Sequence, residues 1–116
     1  MSGVVTHSAH IVQELRDAGV SATNRPSAVV SPGVLVEPVP VLDFDGLASF
    51  TATWRILCLV PPPADLRAAE QLEHLVGVLA EILPIQQARP ASFRVAGAQE
   101  PSPAYLCTYV TTHTKE

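Results

Sequence analysis

The chain is poor in charge of both signs. Only 16% of its residues are charged, and its seven Lys and Arg are scattered without a run. A protein that grips nucleic acid through phosphates needs clustered positive charge, so tight nucleic-acid binding is not expected. Aromatic residues are few, at 5%. Cysteine is nearly absent: Cys58 and Cys107 each lie inside an apolar, strand-like run, with no CxxC and no zinc spacing. The expected role is two buried thiols packed as small hydrophobes, with a cross-strand disulfide as the alternative. No run reaches the roughly 20 apolar residues of a membrane span. The start of the chain lacks the basic and apolar regions of a signal peptide, which leads us to expect a cytosolic product.

What is present argues for a folded domain. The chain has 116 residues, 47% of them hydrophobic, and a net charge of −4. That length suits one domain with one modest core, spanning 1–116, with 1–7 and 113–116 frayed. Eleven prolines without a period read as loop punctuation.

Ser8 to Ala18 has the grammar of a short amphipathic helix. Thr6 or Ser8 can cap it, Ile11, Val12, Leu15 and Ala18 form its buried stripe, and Gly19 ends it. Val20 to Thr23 suggests a short strand, Asn24 to Ser27 a turn, and Val34 to Val36 a buried strand. Pro38 and Pro40 then remove two amide donors, so Glu37 to Leu47 reads as a long connection or an extended hairpin arm. Ser49 to Val60 is the clearest strand. It begins with apolar–polar alternation and ends apolar on both faces, as a strand that becomes doubly buried should.

After Pro61, Pro62 and Pro63, a second helix is expected over Asp65 to Leu83. Its stripe is Leu66, Ala69, Leu72, Leu75, Val76, Leu79, Ile82 and Leu83, with Gly77 marking a close approach to the sheet. Leu75 and Trp54 should both be buried where this helix packs. Ala91 to Ala96 and Ala104 to Thr112 complete the chain as a hairpin with a long loop. Two helices against a mostly antiparallel sheet give an α+β fold.

Chemistry is hard to find. His7 and His10 could share a metal but lack a third ligand, and His74 sits at a helix edge. Asp43 and Asp45 resemble the start of a calcium loop, yet the acidic residue needed further on is missing, so a turn is expected. There is no GxSxG, P-loop, GxGxxG or HExxH. We therefore expect no catalytic residue, no cofactor and no metal. The arm is the unusual segment: Val39, Val41, Leu42, Phe44 and Leu47 are five large apolar residues in one loop. They are the candidate interface, with Phe44 pinning the loop to its own domain as the alternative.

The order of these elements resembles the tail terminator proteins of long-tailed, siphovirus-like bacteriophages. The features that carry it are Leu15-Arg16-Asp17-Ala18-Gly19-Val20, the segment Pro32 to Pro38, the strand Thr53 to Val60, the helix Asp65 to Leu72, and the closing strand Tyr105 to Thr112. The Ala- and Val-rich style is similar to that of phages of actinobacterial hosts. The resemblance implies a homo-oligomeric ring, a hexamer, that caps the tail tube and ends its elongation. It implies the major tail tube protein and a head–tail connector or stopper as partners, and a place at the neck end of the virion tail. DNA would pass through the lumen without specific binding, and no membrane would be involved. A related neck or connector ring, a small cytosolic binding domain and an unrecognised enzyme are the competing readings.

Overall fold

A computed structural model describes residues 2–44, 46 and 49–114, with side-chain surroundings for 6–44, 46 and 49–113. Helix α1 spans Ser2–Asp17. It starts well before the expected cap, so residues 2–7 are helical where a frayed lead-in was expected. Its buried side is Ser8, Ile11, Val12 and Leu15, while Ala18 is exposed and outside the stripe. Gly19 ends it at φ 87°, a left-handed position that suits a residue without Cβ. The Gly19 N–H donates to Arg16 O and the Val20 N–H to Leu15 O, the paired bonds of a Schellman cap.

Strand β1 (Ala22–Thr23) runs parallel to β2 (Gly33–Val36), and a 3-10 turn over Pro26–Ala28 lies between them. β2 then pairs antiparallel with the C-terminal half of β4 (Ser49–Leu59). β3 (Val41–Phe44) pairs antiparallel with the N-terminal half of the same strand. The described part of this segment, Glu37 to Phe44, thus forms one side of a hairpin arm with β4. Val36 faces Ile56 and Val41 faces Thr53, so residues 37–40 bulge opposite 54–55 alone. Pro38 and Pro40 account for the break, since neither has an N–H to give the ladder. Glu37 still reaches across: its N–H donates to Arg55 O, and its carboxylate lies 3.5 Å from the Arg55 guanidinium.

Helix α2 (Leu66–Ile82) is capped by Asp65, whose carboxylate accepts from the Ala68 N–H at 3.0 Å. Its buried stripe is Ala68, Leu72, Leu79 and the following Leu83, with Leu75, Val76 and Ile82 partly buried. Leu66 and Ala69 point to solvent, one step away from where the periodicity placed them, and Leu75 is only half-covered. Gly77 approaches nothing: a Cβ there would find open space, so the expected close contact with the sheet is absent.

The last two strands are β5 (Gln87–Phe93) and β6 (Ser102–Thr114). β5 lies four residues earlier than the expected Ala91 start and carries Pro90 in its middle. An edge strand tolerates that proline, which has no N–H to give a further neighbour. β6 runs through Thr114, so residues 113 and 114 belong to the sheet. The sheet order is β1-β2-β4-β6-β5, with β3 beside β4. The architecture is α+β: two helices and a six-stranded, mostly antiparallel sheet.

The core follows from the β4 alternation. Phe50, Ala52, Trp54, Ile56, Cys58 and Val60 face α1 and α2 with Val34, Val36, Cys107 and Tyr109. Leu57 and Leu59 face the other way and form a smaller cluster with Val29, Leu35 and Ala104. β4 is therefore covered on both sides only in its second half, as its composition required.

Candidate functional site

The arm is built by a local rule. β3 puts Val41 and Asp43 on one face and Leu42 and Phe44 on the other, and the two prolines before it keep it at the margin of the sheet. Val39 is 80% exposed, Val41 55% and Phe44 52%. Among the described residues these are three of the five large hydrophobics that stand exposed, the others being Val30 and Leu66, so the described apolar surface concentrates here. Leu42 differs: it is half-buried and packs on the core. Leu47, like Asp45, lies outside the described residues. Asp43 is exposed within β3, opposite Thr51.

The arm is anchored by rings. Phe44 packs on Phe50 with centroids 5.4 Å apart, and Phe50 stacks on His113 at 5.2 Å and 15°. His113 meets His7 of α1 edge-on at 5.6 Å, and His7 in turn lies 5.4 Å from Trp54 and 6.3 Å from Tyr109. A continuous stack thus runs from the exposed arm to the helix. Two hydrogen-bonded groups fix it: His7 Nε2 lies 3.0 Å from the Tyr109 hydroxyl, and Thr111 Oγ1 lies 2.6 Å from His113 Nε2 while accepting the Trp54 indole N–H at 2.9 Å.

This cluster was not legible as a site. Tyr109, Thr111 and His113 alternate along β6 and so share the face toward the helices, which is the one clue the sequence offered. Burial lowers the pKa of His7, with His113 and then His10 adding to the effect and Glu14 opposing it. Burial raises that of Tyr109, with Glu14 adding, so its phenol stays protonated. His7 and His10 do not converge: His7 turns to β6, and His10 is exposed. Among the described residues no group of three or more His, Cys, Asp or Glu is arranged to hold a metal.

The chain matches no protein-family profile, no curated protein and no solved structure. Its function must therefore be argued from its own surfaces. The open groove beside α2 is lined by Pro32, Val60, Arg67, Glu70, His74 and Leu75, and it brings no nucleophile against a base. Cys58 and Cys107 are both free and fully buried, on the same face of β4 and β6 and two residues out of register, since Cys58 faces Tyr105 and Cys107 faces Ile56. Hydrogen bonding to Cys107 and burial together push the Cys58 thiol far above its usual range, which leaves it a poor nucleophile. No helix among the described residues is long and apolar enough to cross a membrane.

Proposed function

We propose that this chain is a structural protein of the tail-terminator kind, which assembles into a ring through the β3 arm. The observation that carries the reading is the character of the sheet edges. β3 pairs with β4 on one side, and among the described residues no strand lies on its other side. Such an edge, with Val39, Val41 and Phe44 exposed around it, invites a partner. The remaining edges are blunted, β1 by having two residues and β5 by Pro90. One adhesive edge against a different surface of the next copy is a heterologous contact, and such contacts close into rings when the rotation allows.

The resemblance supplies the finer reading. The ring is a hexamer that caps the tail tube, ends its growth and offers its other face to the head–tail connector. The net charge of −4 suits a lumen through which DNA passes, because few cations are available to hold phosphates.

The test is mass by light scattering, alone and with tail-tube protein. Val41→Ser with Phe44→Ser is the informative variant, since Leu42 packs on the core and its loss would confuse folding with assembly. We expect a ring in the wild type and a folded monomer in the variant. A ring that binds the connector and ignores tail tube would favour a neck ring. A wild type that stays monomeric with both partners would defeat the reading.

A further inference from the structure

The imidazole pair His7–His113 stands between α1 and the base of the arm, and nothing in the assembly reading uses it. Its hydrogen bonds have a direction. The Trp54 indole can only donate, so Thr111 Oγ1 accepts from it. The remaining hydroxyl hydrogen then suits His113 Nε2 at 2.6 Å, provided that nitrogen is unprotonated. A charged His113 carries a hydrogen on Nε2 and displaces the hydroxyl hydrogen into a partly buried space. A charged His7 would sit 5.6 Å from it, against Trp54 and Tyr109.

The groups around the pair do little to relieve two charges. β6 offers Tyr109 and Thr111, and β4 offers the rings of Phe50 and Trp54. From α1 itself come His10, which adds repulsion, and Glu14, which opposes it.

We propose that His7, packed against His113, Trp54 and Tyr109, forms an acid-sensitive latch: uncharged it clamps α1 onto the sheet and, through His113, braces Phe50 beneath Phe44, and charged it releases the start of α1 and loosens the arm. The consequence for assembly rests on the arm being the subunit contact. The latch itself does not, because it lies within one chain. Acidification from neutral pH toward pH 5 would then shift the ring toward monomer.

Trp54 is the sole tryptophan and lies against His7, so it reports on the latch. The experiment follows Trp54 emission and the hydrogen exchange of α1 amides, corrected for intrinsic rates, between pH 8 and 4.5. It compares the wild type with His7→Phe, His113→Phe and the double variant, and light scattering records mass in parallel. We expect exchange at the start of α1 to rise at least tenfold on acidification in the wild type and to stay flat in His7→Phe and the double variant. Unchanged wild-type exchange down to pH 4.5 would overturn the latch. So would the same rise in the double variant, or in both single variants should the double variant fail to fold. Exchange that rises as expected in a chain that is monomeric at every pH supports the latch and removes the ring, so the two readings fail separately.

Discussion

The indole N–H of Trp54 on β4 is satisfied by Thr111 on β6, across the antiparallel pair that forms the spine of the sheet. Trp54 is fully buried, and its indole donor is satisfied by this bond. Thr111→Val keeps the shape and removes the acceptor. The expected cost is about 1–3 kcal/mol, the usual penalty for a buried donor left unsatisfied. Urea unfolding midpoints at constant slope would measure it. A loss below about 0.5 kcal/mol would mean that water replaces the hydroxyl.

Leu79 and Leu75 share the α2 stripe, yet only Leu79 is fully buried. Leu79→Ala should destabilise by about 2–5 kcal/mol through lost contacts and a cavity. Leu75→Ala should cost less, about 1–2 kcal/mol, because part of its side chain already meets solvent. Denaturant titrations of the two variants would check the order, and equal costs would contradict the helix orientation.

Gly77 and Gly33 make opposite demands. Gly77 lies exposed inside α2 with open space where a Cβ would go. Gly77→Ala should therefore stabilise the chain by about 0.8–1 kcal/mol, the difference in helix propensity. At Gly33 a Cβ would collide with the Val30 carbonyl oxygen, and backbone yields little. Gly33→Ala should destabilise by about 1–3 kcal/mol. Paired thermal melts would separate the two signs.

Stability should fall on the acid side because of His7. Its pKa in the folded chain lies below the usual 6.5, mainly through burial. As pH drops through that value the unfolded chain binds a proton before the folded one does, so unfolding is favoured. The loss begins below about pH 6.5 and levels off once folded His7 is also charged. His7→Phe should flatten that part of a stability–pH curve, and an unchanged slope would show that other groups carry it.

Cys58 and Cys107 should resist thiol reagents in the native state, since both are fully buried. Labelling should proceed at the rate of opening and accelerate with denaturant. Rapid native labelling of either thiol would show that the β4–β6 pair opens locally.

What the sequence determined by itself was local. The period-2 and period-3.6 patterns of Ser49–Leu59 and Leu66–Ile82, the Asp65 cap and the Gly19 stop depend on neighbours a few residues away, and each is readable from such neighbours. The exposed arm was also legible, because Pro38 and Pro40 bar a central strand whatever else the chain does. The tertiary structure decided what lies beside what. It put β3 and β2 on the same side of β4, moved β5 back over Pro90, and left Gly77 facing solvent although it lies in an apolar helix. It alone brought His7 from one end of the chain to His113 at the other. Periodicity tells which face of an element is buried, but not its partner. Partner and register come from long-range packing and hydrogen-bond satisfaction, summed over residues that no local window contains.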